Sequence, residues 1–223
     1  MNSKIISEFL GMLLLTMSVV GSGIMAENLS QGNAGLTLLS NSYATALMLI
    51  VIIVVFRNHS GAHFNPAVSL SFYLQGKLSS RDFVAYVTTQ IIAGILAVVL
   101  IHLIFSLPLI DFSVNDRSGI PIMISEVIAS FFLVFIILMS QDKDDVIVAV
   151  LVGLYIGSAY FFTSSTSFAN PAITIARSLT DTFTGINPSN IFGFILSQII
   201  GAFLATTLSV SYKHLTLPTI LLV

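Results

Sequence analysis

The chain has 223 residues, of which 56% are hydrophobic and only 8% are charged. A soluble domain carries about 25% charged residues, and eight Lys+Arg with ten Asp+Glu cannot cover a water-facing surface of this size. This composition excludes an ordinary cytosolic enzyme and a disordered chain, and a net charge of −2 excludes a nucleic-acid-binding protein. Without Cys there are no disulfides or thiolate metal sites. The composition therefore predicts an integral membrane protein surrounded by a lipid bilayer.

Six apolar runs are long enough to cross a bilayer as helices, which takes about 20 residues. They cover residues 5–25, 36–56, 83–105, 120–139, 146–162 and 191–210. The runs lack the period-2 alternation of a membrane β-barrel, so the predicted fold class is an all-α membrane protein. The first run resembles a signal peptide, but Glu8 interrupts its apolar core and its length suits a retained helix.

Two further apolar segments, residues 64–74 and 168–179, are too short to span the membrane. Each follows a polar stretch, at residues 59–63 and 163–167. Irregular backbone at membrane depth is tolerated where it lines a cavity. The sequence therefore predicts two re-entrant half-helices beside a lumen.

The two halves of the chain repeat one another. The corresponding residues are Glu8 and Glu126, Gln90 and Gln198, and the triplets Asn65-Pro66-Ala67 and Asn170-Pro171-Ala172. Each half, residues 1–113 and 114–212, holds three spans and one half-helix, so the second copy enters from the opposite side as an inverted repeat. We therefore predict a single channel domain over residues 1–223, with 213–223 as an atypical tail that continues no pattern of the repeat.

The paired Asn-Pro-Ala triplets predict how this lumen selects its solutes. Pro is favoured in the first turn of a helix, and the Asn before it is a good N-cap. The positive ends of both half-helix dipoles would then meet at one central point, and Asn65 and Asn170 can donate hydrogen bonds into the lumen. A neutral hydroxylated solute accepts these donors, whereas cations and protons are repelled.

These motifs resemble those of the major intrinsic protein family, the aquaporins and aquaglyceroporins. The resemblance covers about residues 5–209 and rests on segments 60–68 and 168–172 with the paired Glu and Gln. It implies a pore in each subunit of a homotetramer, for water and small neutral solutes, and we expect no cofactor or metal. It also implies that Glu8 and Glu126 accept hydrogen bonds from the loops leading into the half-helices; a proton relay is the alternative. Gln90 and Gln198 are expected to bond across helices.

The sequence departs from this family at the outer constriction. Most members place an Arg directly after the second triplet, where this chain has Ile173. The next arginine, Arg177, lies one helical turn, about 6 Å, further toward the outer mouth, where we expect it to reach the vestibule or to cap the C-terminal end of the half-helix. His63 is expected to line the inner vestibule.

The rest of the constriction also follows from the resemblance. Its expected residues are Thr45, Ser167 and Ile173, with either Ser158 by ungapped counting or Tyr160 when the Gly-Leu pattern of the fifth span is aligned. Such a ring is wider than a water-only filter and predicts passage of glycerol, urea-sized polyols or neutral metalloid hydroxides. Segment 165–177 resembles a bacterial branch linked with arsenic resistance, so arsenite as As(OH)3 is a candidate solute.

Two other classes use comparable elements. An ion channel is the alternative because the filter Arg is missing, and a secondary transporter because inverted repeats and broken helices occur there too. An enzyme is least favoured, since no nucleophile–base pair appears in the sequence. Six Lys and Arg in the predicted inner segments, against two in the outer ones, predict a cell (inner or plasma) membrane protein with both termini cytoplasmic.

Overall fold

The computed structural model describes residues 3–216. Their helices are α1 Ser3–Leu29, α2 Ala34–Ser60, α3 Pro66–Leu74, α4 Ser80–Ile104, α5 Ile120–Met139, α6 Asp145–Phe162, α7 Pro171–Arg177 and α8 Ile191–Thr216, with a 3-10 turn at Pro188–Asn190. The structure confirms the predicted fold class, because six of these helices are long and apolar enough to span a membrane and two are short. Of the predicted atypical tail, residues 217–223 lie outside the described residues.

The long helices extend further than the apolar runs predicted. Helix α1 continues to Leu29 and α2 to Ser60, because a helical backbone passes through polar residues at the membrane boundary. Helix α2 ends where Gly61 adopts a left-handed conformation (φ 89°) and its N–H bonds the carbonyl of Arg57. At the other end, the Asn33 side chain accepts from the N–H of Leu36 at 3.0 Å.

The two half-helices begin later than predicted. Helix α3 starts at Pro66 rather than residue 64, and α7 starts at Pro171 rather than residue 168. The reason is conformational, since Phe64 (φ 47°) and Ala169 (φ 48°) occupy the left-handed region and cannot continue a right-handed helix. Helix α7 also ends at Arg177, two residues before the predicted end.

The two halves interlock around the centre of the bundle. Helix α1 packs against α2 and α4, and α5 packs against α8 and α6 in the second half. Each half-helix also contacts the last long helix of the other half, because α7 packs against α4 and α3 against α8. We call the end of the bundle where α1 begins and α2 and α5 end the N-terminal face. The half-helices run from the middle of the bundle toward opposite faces.

Small residues allow the closest helix contact, as is usual within membranes, where lipid supplies no hydrophobic drive for association. A Cβ added to Gly201 on α8 would lie 2.4 Å from the carbonyl oxygen of Val127 and 2.9 Å from the nitrogen of Phe131, both on α5. Backbone atoms of a packed helix cannot move aside as a side chain can. Gly201 therefore sets the distance between these two helices.

Gly201→Ala is expected to destabilise the protein by about 1–3 kcal/mol, because α5 and α8 must separate. The measurement is the temperature at which the detergent-solubilised protein loses its monodisperse chromatographic peak. Gly35→Ala is the matched control, since Gly35 is exposed and the nearest atom to an added Cβ there, the Oδ1 of Asn33, is 3.4 Å away. Equal midpoints for the two variants would contradict this packing account.

Candidate functional site

A cavity runs through the bundle between the two halves, with about 890 Å³ of empty space including its open mouths. Arg57 and Gln141 line it at the N-terminal face. Arg57 is held there by an ion pair with Asp145 and by donating to the carbonyl of Gln141 at 2.8 Å. Toward the opposite face the lining includes Arg177, the last residue of α7. The cavity therefore follows the long axis of the helices.

Asn65 and Asn170 line the middle of this cavity and cap the two half-helices. The Oδ1 of Asn65 accepts from the N–H of Ala67 at 2.8 Å. The Oδ1 of Asn170 accepts from the N–H groups of Ala172 at 3.0 Å and Ile173 at 3.3 Å. Both side chains are thereby held with their amide nitrogens turned away from the helices that they cap.

Each Asn also bonds across to the other half, which the sequence did not predict. The Nδ2 of Asn65 donates to the carbonyl of Ala169 at 2.7 Å, and the Nδ2 of Asn170 donates to that of Phe64 at 2.8 Å. An amide nitrogen carries two hydrogens. One hydrogen of each therefore joins the two re-entrant loops, and the other remains for a solute in the lumen.

Glu8, fully buried on α1, holds the loop that leads into α3. Its Oε1 accepts from the Oγ of Ser60 at 2.7 Å and from the N–H of His63 at 2.9 Å. Its Oε2 accepts from the N–H of Phe64 and from the Nε2 of Gln90, both at 2.8 Å. These bonds offset the cost of a buried carboxyl group and of the left-handed backbone beside it.

Glu126 on α5 repeats this arrangement for the loop before α7 and is also fully buried. Its Oε1 accepts from the N–H of Phe168 at 2.9 Å, and its Oε2 accepts from the N–H of Ala169 at 2.9 Å. The Nε2 of Gln198 donates to the same Oε2 at 2.7 Å. The equivalence of the two carboxyl groups in the inverted repeat thus extends to the atoms that they bond.

The expected constriction residues separate into those that line the cavity and one that does not. Thr45, Tyr160, Ser167 and Ile173 all line it. Ser158 is exposed on α6 and does not line the cavity, whereas Tyr160 does. Two residues apart on a helix lie about 200° apart, so Ser158 and Tyr160 cannot face the same lumen.

Hydroxyl groups supply much of the polar lining at this level. The Oγ1 of Thr45 and the hydroxyl of Tyr160 lie 3.3 Å apart across α2 and α6. Within the part of the chain that the structure describes, the buried Oγ of Ser167 has no hydrogen-bond partner. Ile173 contributes only an apolar side chain. The wall of the cavity at these positions therefore holds three hydroxyl-bearing side chains and one apolar side chain.

The two residues expected in the vestibules also line the cavity. His63, on the side of the N-terminal face, packs its ring against Phe72 and Tyr86, and its Nδ1 lies 3.1 Å from the Oγ of Ser69. Arg177 is only 2% exposed. It lies one turn beyond Ile173 on α7 and is more buried than an open vestibule would suggest.

Phe168 supports Arg177, and sequence reasoning missed this contact. The guanidinium carbon of Arg177 lies 3.3 Å from the centroid of the Phe168 ring, and its Nε donates to the carbonyl of Thr184. The guanidinium of Arg117, in the loop between α4 and α5, lies 5.3 Å from the same centroid. The aromatic residue two places before the second triplet was the available signal for such a cation–π pair.

Comparisons with known proteins agree with this geometry. The family profile described as Major intrinsic protein matches residues 1–205. Aquaglyceroporin AqpS of Rhizobium meliloti (strain 1021) is 47% identical over 205 residues, which cover 92% of this chain and 88% of that protein. Aquaporin NIP1-1 of Zea mays is 27% identical over 89% of this chain and 71% of its own length.

A solved structure shares the fold. The X-ray structure of the aquaglyceroporin from Plasmodium falciparum aligns with a TM-score of 0.74 and covers 92% of this chain and 93% of its own. The two sequences are 16% identical in this alignment. At this identity the likeness shows the fold alone, whereas the profile match and the 47% identity confirm the family resemblance seen in the motifs.

Proposed function

Because the chain belongs to the major intrinsic protein family, we propose that its central cavity conducts neutral hydroxylated solutes of glycerol size together with water. The protein is a multi-pass membrane protein of a family of passive channels for water and small solutes. Ile173 is the observation that carries the choice of solute, since it stands at the constriction where most members of the family have Arg. An apolar side chain there leaves width for a solute larger than water.

The polar groups around Ile173 suit a polyol. Thr45, Tyr160 and Ser167 all line the same lumen. Each carries a hydroxyl group, which both donates and accepts. A glycerol-sized solute can therefore exchange its hydration for these groups as it passes. The relative named an aquaglyceroporin, 47% identical to this chain, supports the same solute class.

In this proposal the central triplets exclude ions. Asn65 and Asn170 each keep one amide hydrogen for the lumen, and the positive ends of α3 and α7 point at the same region. A cation meets only donors there, whereas a neutral hydroxyl accepts from them. Glu8 and Glu126, with Gln90 and Gln198, position the two loops rather than transfer protons, because the carboxylate oxygens of both Glu residues are occupied by backbone and amide donors.

Arsenite is a second candidate solute within this class. As(OH)3 is neutral and presents three hydroxyl groups, so its hydrogen bonding resembles that of a small polyol. The same hydroxyl ring and the same central Asn pair would accept it. Urea tests the width of the ring independently, since it is flat and carries no hydroxyl group.

Orientation and assembly complete the proposal. The N-terminal face is cytoplasmic, because six of the eight Lys and Arg fall in segments of the sequence assigned to it, and the membrane is the plasma or inner membrane. Each subunit holds a complete cavity of its own. Apolar side chains are exposed around the bundle, among them Leu96, Phe132 and Leu196, and they suit contact with lipid or with neighbouring subunits of a homotetramer.

A solute panel in proteoliposomes tests this function. Inward gradients of glycerol, urea and arsenous acid should each swell the vesicles faster than protein-free vesicles, with rates proportional to the gradient. A membrane bearing the protein should carry no ionic current above background. Saturable uptake driven by an ion gradient would instead indicate a secondary transporter, and a current would indicate an ion channel.

A further inference from the structure

We propose that Arg177 supplies the fixed positive charge of the constriction and that Phe168 holds it there, so that the pore rejects cations although position 173 is apolar. This inference rests on the proposed function, and it adds a specificity-determining residue that the family pattern does not place. Ile173 and Arg177 are four residues apart on α7, so their side chains lie on the same face of that half-helix. Both line the cavity.

The guanidinium is fixed in position by two contacts. It lies flat enough over Phe168 for its central carbon to be 3.3 Å from the ring centroid, and its Nε donates to the carbonyl of Thr184. Phe168 in turn donates its N–H to Glu126 at 2.9 Å and packs edge-on against Phe194, with centroids 4.8 Å apart. The support of the charge is thus part of the same loop that carries the second Asn-Pro-Ala triplet.

The terminal nitrogens of Arg177 remain free to meet a solute. Among the residues that the structure describes, only the Nε of Arg177 has a hydrogen-bond partner. The side chain is only 2% exposed and lines the cavity, so what little of it is accessible belongs to the cavity wall. The N–H groups of its terminal nitrogens can donate to the oxygens of a neutral hydroxylated solute.

The charge is not neutralised by a carboxylate. Within residues 3–216 the ion pair of the structure is Arg57 with Asp145, at the other end of the cavity. The carboxylate of Glu126 accepts from two backbone N–H groups and an amide instead. The guanidinium of Arg117 lies 5.3 Å from the centroid of the same Phe168 ring, and its own Nε donates to the carbonyl of Gly185 at 2.8 Å. Within residues 3–216 neither Arg177 nor Arg117 forms an ion pair, although Glu27, Asp111, Asp116 and Asp181 lie in segments at the same face.

An Arg at position 173 would both supply a positive charge and narrow the lumen. In this protein the charge and the width of the lumen depend on two different residues, Arg177 and Ile173. The charge sits one turn, about 6 Å, further along α7, and it lies against an aromatic ring instead of reaching across the lumen. A cation entering from the opposite face meets the positive field before it reaches the Asn pair. A neutral solute meets hydrogen-bond donors and a lumen that Ile173 leaves wide.

Urea and guanidinium form a matched pair of probes, because they have nearly the same size and planar shape but differ in charge. Uptake of each radiolabelled probe into proteoliposomes, at a voltage clamped by a potassium gradient and its ionophore, gives the urea-to-guanidinium ratio. For Arg177→Gln we expect this ratio to fall about tenfold or more relative to the unaltered protein. Gln keeps a donor for the carbonyl of Thr184 but carries no charge.

Three further variants complete the test. Arg177→Lys keeps the charge and should keep the ratio, whereas Phe168→Leu keeps the arginine but removes its support and should lower the ratio partway. Arg81→Leu removes an exposed charge near the N-terminal face and should change nothing. An unaltered ratio in both Arg177→Gln and Phe168→Leu overturns the inference. If urea fails to enter through the unaltered protein, the proposed function fails instead, while guanidinium entry still reports on the charge.

Discussion

Replacing Glu126 by Ala should leave almost no folded protein. Its two carboxylate oxygens accept from the N–H groups of Phe168 and Ala169 and from the Nε2 of Gln198, and the residue is fully buried. Alanine would leave two buried backbone N–H groups and one hydrogen of the Gln198 amide without partners, each at a cost of about 1–3 kcal/mol. The other hydrogen of that amide keeps its bond to the Oγ1 of Thr174. The summed cost approaches a typical stability of about 5–15 kcal/mol. The measurement is the yield of monodisperse protein after membrane extraction, together with its thermal midpoint.

Two further variants identify the reason for such a loss. Glu126→Gln keeps one oxygen as an acceptor but replaces the other by an NH2 group, which is a donor facing other donors. This variant should therefore be less stable than the unaltered protein and more stable than Glu126→Ala. Asp142→Asn, in the exposed loop between α5 and α6, removes one negative charge and should leave the yield unchanged. A Glu126→Ala protein that folds normally but loses proton flux would favour the proton-relay alternative over the structural role.

Replacing Ile173 by Arg should reduce glycerol flux far more than water flux. Ile173 is 4% exposed and lines the cavity beside Tyr160, so a longer side chain must occupy the lumen. Arg177 lies one turn away, and repulsion between the two guanidinium groups keeps the new side chain off that part of the wall. We expect glycerol flux to fall about tenfold or more, equivalent to about 1.4 kcal/mol or more, and water flux to fall less.

The comparison requires stopped-flow measurements of both fluxes on the same proteoliposomes. Ile173→Val is the matched control, because it keeps an apolar, slightly smaller side chain and should preserve both fluxes. Equal losses of water and glycerol in Ile173→Arg would show that position 173 obstructs the lumen generally and does not set the size of the solute.

The membrane architecture was predictable because it depends on composition and length. Continuous apolar runs require spanning helices, and Pro66 and Pro171 mark the first turn of a helix wherever they follow a capping Asn. The residues at which the half-helices begin were not predictable from the length of the apolar segments. Phe64 and Ala169 are apolar like their neighbours, but the hydrogen bonds that their N–H groups donate to distant carboxyl groups stabilise their left-handed backbone.

The sequence predicted only those features of the site that depend on residues close together in the chain. Helical spacing places Arg177 on the face of Ile173, yet it says nothing of Phe168, which the fold brings beneath the guanidinium. The choice between Ser158 and Tyr160 depended on an alignment of the fifth span, and only the packing of α6 against α2 turns Tyr160 inward. Contacts between distant segments therefore account for most of what the sequence left open.

The central claim is that the pore passes a solute larger than water without passing ions. Its most direct test mixes proteoliposomes with hyperosmotic glycerol and, in parallel, with hyperosmotic sucrose of equal osmolarity. We predict rapid shrinkage in both, followed in glycerol alone by reswelling that is much faster than in protein-free vesicles. Rapid shrinkage in glycerol with reswelling no faster than in protein-free vesicles would contradict the account and indicate a water-selective pore.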